Sequence, residues 1–286
     1  MKKIFLVFMA VFAALFILIT LTKKKEVVES TTTDSAYTND ERVKVLAFWA
    51  YYRQATDDRM EEQWEKAAEN YKQALAINEN HEDALYYLGN MYLELLRYKE
   101  AEACWNKLAQ INPQKSRAFL QLGTLYLGNN DLFDIDKSES ACRKALANNK
   151  EETGPLLLLG EIKLIRGQEE AAAADFKAVT TSNFKSTEAY FLGGYIAWKN
   201  GDQAKARDLF LTAVKYAKPE VNPAQKVEGE GDTKKGKGFG SVTSKSVFQK
   251  FMTGLPGVQP EQHDQALQMV YSSLDVFMAE LKRKVH

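Results

Sequence analysis

Hydrophobic and polar positions divide the chain into stretches of unlike character. Ile4 to Leu21 is an unbroken apolar run, with no charged residue and Thr20 as its one polar side chain. As a helix it would extend about 27 Å, close to the hydrocarbon thickness of a bilayer. Lys2 and Lys3 precede it, and Lys23, Lys24 and Lys25 follow. The run predicts an N-terminal transmembrane anchor over residues 1–25. A cleaved signal peptide is the rival, but it carries a shorter apolar region and a small-residue cleavage site, where this chain has lysines. Residues 26–42, beginning "EVVESTTTDSAYTND", lack a hydrophobic period and read as a polar spacer. From Val43 the pattern turns helical and stays so to residue 219. "PEVNPAQKVEGEGDTKKGKGFGSVTSKS" then shifts to glycine, lysine and acids, which predicts a flexible linker over residues 220–246. Residues 247–286 form a C-terminal helical segment. In it Leu267, Val270, Tyr271, Leu274, Phe277, Met278 and Leu281 make one apolar stripe. Pro260 and Glu261 suit a first turn, and Lys282, Arg283 and Lys284 a last.

The helical stretch repeats itself. Leu85, Leu88, Gly89 and Tyr92 return at a shift of 34 as Phe119, Leu122, Gly123 and Tyr126. Leu156, Leu159 and Gly160 follow, then Tyr190 and Gly194. A second set runs in parallel: Ala67, Tyr71 and Ala74; Ala101, Trp105 and Leu108; Ser138, Cys142 and Ala145 after a three-residue insertion near "NNDLFDID"; Ala172, Phe176 and Val179; Ala206, Phe210 and Ala213. Gly in a helix interior costs about 1 kcal/mol against Ala. Its recurrence implies close approach of a paired helix, so Gly123→Leu should overpack that seam.

In phase, these positions resemble the tetratricopeptide repeat, a helix-turn-helix unit of about 34 residues. The resemblance covers residues 43–219 in about five units. The first unit matches only in its second helix, since "FWAYYRQATDD" lacks the Leu-Gly pair. Only Pro113 fills the family's unit-ending proline slot; Glu79, Lys150, Phe184 and Lys218 stand in the others. The resemblance implies an all-α fold: a TPR α-solenoid, a right-handed superhelix, here preceded by one transmembrane helix and followed by a separate amphipathic helix. It also implies a concave groove lined by the first helix of each unit. The register places Tyr86, Asn90, Leu93, Leu120, Leu127, Leu157, Leu164, Phe191, Tyr195 and Trp198 on that face, with Thr124 and Glu161 among them and Trp49 and Tyr52 extending it. This apolar, aromatic lane suits an amphipathic helix laid in by its apolar face. The basic carboxylate clamp of peptide-binding members is missing; Arg117 is the main cation in such a place.

Charge narrows the partner class. Lys+Arg and Asp+Glu both number 38, which gives no reason to expect nucleic acid. Cys104 and Cys142 make no metal spacing and read as buried thiols. His81, His263 and His286 lie in no HExxH or Cys/His cluster. "GDTKKGKG" imitates a phosphate loop but ends in Gly where Ser or Thr should hold Mg²⁺, with no strand before it. Neither catalytic residues, cofactor, metal nor small-molecule substrate is therefore expected, and the chain does not read as an enzyme. The pattern predicts a single-pass membrane protein that binds protein partners through its groove. The alternative is an assembly chaperone for an exported or membrane-complex client, with the C-terminal helix as a competing internal ligand. Positive charge flanks the apolar run on both sides, so orientation rests on the signal-like start. That start places the repeats outside the cytoplasm, periplasmic in a bacterium, with a cytoplasmic-facing arrangement as the alternative.

Overall fold

A computed structural model describes residues 38–150, 152–217 and 263–285. The first two stretches hold five consecutive helix pairs: α1 Asn39–Met60 with α2 Trp64–Ile77, α3 Glu82–Glu94 with α4 Tyr98–Ile111, α5 Ser116–Gly128 with α6 Ile135–Asn148, α7 Thr153–Ile165 with α8 Glu169–Ser182, and α9 Thr187–Lys199 with α10 Gln203–Ala217. Each second helix packs on its own first helix and on the first helix of the next pair. A further helix, α11, runs from His263 to Val285.

The turn inside each pair is a recurring helix stop. Arg97 N–H bonds back to the Tyr92 carbonyl at 2.7 Å, Gln63 to Asp58 at 2.8 Å, Gln168 to Lys163 at 2.8 Å and Asp202 to Ala197 at 2.9 Å. Such a closure needs one residue of left-handed backbone. Gly167 and Gly201 supply it at φ 77° and 79°, but Glu62 and Leu96 hold the same place at 58° and 59°. The third pair carries the insertion, and Asp134 N–H closes the equivalent bond to Tyr126 at 3.0 Å. Asn129 accepts from the Asp131 and Leu132 amides inside that loop, and Asp134 then caps α6. Three extra residues are thus absorbed without losing the register. Between pairs the chain turns at Asn78, Asn112, Asn149 and Asn183, each ending a second helix.

The recurring glycines sit at the seams. A Cβ at Gly123 would lie 2.8 Å from Cys142 Sγ, and one at Gly160 would lie 2.6 Å from the Phe176 ring. Ser138 Oγ also donates to the Gly123 carbonyl at 2.8 Å, so backbone and partner helix touch there. In the first pair Ala55, fully buried, stands where the others have Gly. Gly193 has no counterpart of its kind: in the second, third and fourth pairs its place is taken by the buried Leu88, Leu122 and Leu159, and in the first by the exposed Gln54. Gly193 lines a cavity of about 430 Å³ between α8, α9 and α10, with Ala173, Phe176, Ile196 and Leu209.

One boundary differs from expectation. The spacer was expected to reach residue 42, but α1 starts at Asn39. Thr38 and Glu41 form a reciprocal cap, with Thr38 N–H donating to Glu41 at 2.7 Å and Glu41 N–H to Thr38 Oγ1 at 3.2 Å. No described helix is long and apolar enough to cross a membrane. The expected anchor at residues 4–21 and the linker at 220–246 both lie outside the described residues.

Candidate functional site

The expected groove residues fall in two different packing environments. Leu127, Leu164, Phe191 and Tyr195 are buried in one apolar cluster, with Leu120, Leu157 and Trp198 packed against it. What closes over this part is α11. Its Leu267, Val270, Tyr271, Leu274, Met278 and Leu281 belong to the same cluster and are buried, with Phe277 half-buried. The sequence stripe and the buried face therefore coincide. Each such side chain contributes about 1.5–3 kcal/mol on burial, before the cost of ordering the helix.

Tyr271 is the deepest point of contact. Its ring lies 5.3 Å from Phe191 and 6.0 Å from each of Tyr195, Trp198 and Phe210, centroid to centroid. Its hydroxyl donates to the Phe191 carbonyl at 3.1 Å and rests against Gly194, where a Cβ would collide with it. Burial pushes the Tyr271 phenol far up, and burial together with the Asp275 hydrogen bond does the same for Tyr195. Both stay protonated donors. Tyr195 Oη donates to Asp275 at 2.6 Å, and Trp198 Nε1 to Gln268 at 2.7 Å. Polar contacts fasten the two ends of α11. Near its start Asp264 pairs with Arg207, and Gln268 donates to Gln203 at 3.2 Å. Near its end Lys284 donates to Asn130 at 3.1 Å and lies over the Phe133 ring. Both of those partners belong to the insertion loop.

The other part of the lane is not covered by α11. Tyr86, Asn90 and Leu93 are half-buried, and Trp49 is 46% exposed. An aromatic cluster forms its floor: Phe48 lies 4.7 Å from the His81 ring, Trp49 5.6 Å from Tyr52, and Tyr52 5.6 Å from Tyr71. Arg117 stacks over Tyr86 at 4.4 Å and pairs with Asp83, whose carboxyl is held below its ordinary value chiefly by that hydrogen bond. The one cation singled out in the sequence is thus already neutralised. Asn90 Oδ1 is shut off from solvent and has no hydrogen-bond partner among the described residues.

Chemistry of other kinds finds little purchase. Among the described residues no group of His, Cys, Asp and Glu could hold a metal ion. Burial pushes the Cys104 and Cys142 thiols up to about 12, which keeps them protonated and unreactive. His81 caps α3 by accepting from the Ala84 amide at 3.2 Å. The sequence reading missed this role, because histidine is not among the usual helix-capping residues. It also passed over Phe210 as a wall of the Tyr271 site, because Phe210 lies on a second helix.

Comparison with known proteins bears on the fold. Two tetratricopeptide-repeat family models match residues 59–122 and 157–221. Anaphase-promoting complex subunit 3 of Schizosaccharomyces pombe is 31% identical over 78 residues, 27% of this chain and 12% of that protein. The chain therefore spans about an eighth of that relative. Among solved structures, MamA from Desulfovibrio magneticus RS-1 (residues 41 to the end) superposes with a TM-score of 0.52 at 15% identity, covering 59% of this chain and 94% of that one. A structure from the functional characterization of Pseudomonas aeruginosa pilF gives 0.52 at 20% identity, covering 62% and 77%. At these identities the likeness concerns the fold. The chain carries tetratricopeptide repeats folded as an all-helical solenoid, the architecture of protein-interaction scaffolds.

Proposed function

We propose that this chain is a membrane-anchored scaffold whose concave groove receives an amphipathic helix of a partner protein. The observation that carries the reading is the fit of α11, an amphipathic helix lying in that lane by its apolar face. The uncovered part supports it as well. Tyr86 and Leu93, half-buried beside the exposed Trp49, leave apolar surface there for an incoming helix. The apolar run at residues 4–21 would hold the scaffold at the bilayer, with the repeats facing away from the cytoplasm.

The test is photo-crosslinking in cells from position 86, in place of Tyr86, combined with membrane fractionation. The scaffold reading expects a defined protein crosslinked at 86 and co-purifying at fixed stoichiometry in the membrane fraction. Deleting residues 4–21 should move the complex to the soluble fraction. Crosslinks at convex positions alone would sink the groove, and a soluble full-length chain would sink the anchor. The chaperone reading draws on the same occupied groove, since a helix that holds the site between clients suits transient binding. It expects crosslinks without stable co-purification.

A further inference from the structure

We propose that α11 stands in for the partner's helix. The ring of Phe191, Tyr195, Trp198 and Phe210 is then an anchor subsite that reads an aromatic side chain followed four residues later by an acid. This rests on the groove reading above and adds what the partner must carry. The occupant is an amphipathic helix from another protein with a tyrosine anchor. Measured from that tyrosine, it has aliphatic residues at −4, −1, +3, +7 and +10 and a carboxylate at +4. These are the places of Leu267, Val270, Leu274, Met278 and Leu281, and of Asp275.

Each element of the pattern answers a group in the groove. The aromatic ring fills a space walled by four rings within 5.3–6.0 Å of it. The hydroxyl reaches the Phe191 carbonyl, which phenylalanine could not. The carboxylate accepts from Tyr195, a phenol that burial keeps protonated. A lysine at +4 would leave Tyr195 without its acceptor. Gly194 admits the hydroxyl, since any Cβ there would occupy its place.

Exchange follows from how α11 is tethered and from what it leaves open. Its start pairs with Arg207 and Gln203 in the first turns of α10. The chain leaves α10 at the opposite end, about 22 Å away. Residues 218–262 join the two points, a contour length of at most about 150 Å, far longer than the gap. Because α11 belongs to the same chain, a partner must outcompete an intramolecular ligand. The lane around Tyr86 and Trp49 stays uncovered beside the occupied part, giving an incoming helix a place to land first.

The experiment uses the full chain and a fluorescein-labelled synthetic peptide of residues 263–285, read by anisotropy. The wild-type chain should bind the peptide weakly, because its own α11 competes. Asp275→Ala in the chain removes the acceptor at a half-buried position with little risk to folding. It should tighten peptide binding about tenfold, and Tyr271→Ala should tighten it further. A peptide carrying Tyr271→Ala or Asp275→Lys should lose binding tenfold or more, and one carrying Tyr271→Phe less. A chain with Gln203→Cys and Gln268→Cys joined by a short bismaleimide should not bind, while the unjoined variant should. Equal binding by joined and unjoined chains would place the peptide elsewhere and overturn the proposal. So would no binding by any chain whose melting curve matches the wild type, since α11 would then be fixed core. A cellular partner retained at position 86 by the joined chain would spare the scaffold reading and refute the exchange. Peptide exchange with no partner at position 86 would do the reverse.

Discussion

Neighbouring glycines in α9 have opposite duties. Gly193 faces a cavity, where an added Cβ meets Leu209 at 3.7 Å, an ordinary contact. Gly193→Ala should raise stability by about 0.5–1 kcal/mol, through helix propensity alone. Gly194→Ala should lower it, because the methyl displaces the Tyr271 hydroxyl and lifts α11 at its deepest point. Thermal melts of the two variants should therefore move in opposite directions, and the same sign for both would contradict the seat of Tyr271. Leu96 offers a third test. It is 43% exposed and sits at φ 59°, in a place that Gly167 and Gly201 fill in other pairs. Left-handed backbone costs a residue with a Cβ about 1–2 kcal/mol. Leu96→Gly should recover about 1 kcal/mol, read as a higher melting temperature. This strain was invisible in the sequence, where "RYKEAEA" looks like any polar turn. Only the closing bond from Arg97 to Tyr92 shows which residue must bend.

Between elements, ion pairs tie one unit to the next. Arg117 at the start of α5 pairs with Asp83 at the start of α3, and Lys115 pairs with Glu82 at 2.9 Å. The Arg117 hydrogen bond lowers the Asp83 pKa, and those of Asn112 and then Lys115 lower that of Glu82. Both folded values lie below the unfolded ones, so the unfolded chain binds more protons. The pairs therefore stabilise fully above the unfolded values of 3.8 and 4.5 and are lost as pH falls through the lower folded ones. Half-exposed pairs are worth about 0.2–1 kcal/mol. Asp83→Asn should cost that much at pH 7 and progressively less as pH falls below 3.8, as measured by urea unfolding at each pH. The helix pairs were legible from the 34-residue period, because burial at Leu88, Gly89, Trp105 and their counterparts repeats with it. The recurring Asn78, Asn112, Asn149 and Asn183 were equally legible and were passed over for the weaker proline slot one residue on. The fate of the lane was not legible. Leu127, Phe191 and Tyr195 look the same in sequence whether they meet solvent, a partner or the chain's own tail.

At the scale of the molecule, α11 changes what kind of solenoid this is. Ordinarily each unit touches only its neighbours, so stability is a sum of local terms and the ends fray independently. Here one helix grips α10, α9, α7 and the insertion loop together. Hydrogen exchange should show the last three pairs opening as one cooperative block, with the first two pairs opening at lower free energy. Tyr271→Ala should split that block into separate steps, whereas unchanged protection would mean that α11 bears little of it. The loop at residues 129–133, which holds the insertion, then acquires a further meaning. Because Asn130 and Phe133 receive the last turn of α11, the span from Arg207 to that loop works as a ruler. A repeat array normally lengthens or shortens by whole units with little harm. This one could not gain or lose a unit between the insertion and α10 without stranding one end of its helix, so its repeat number is fixed by its own tail.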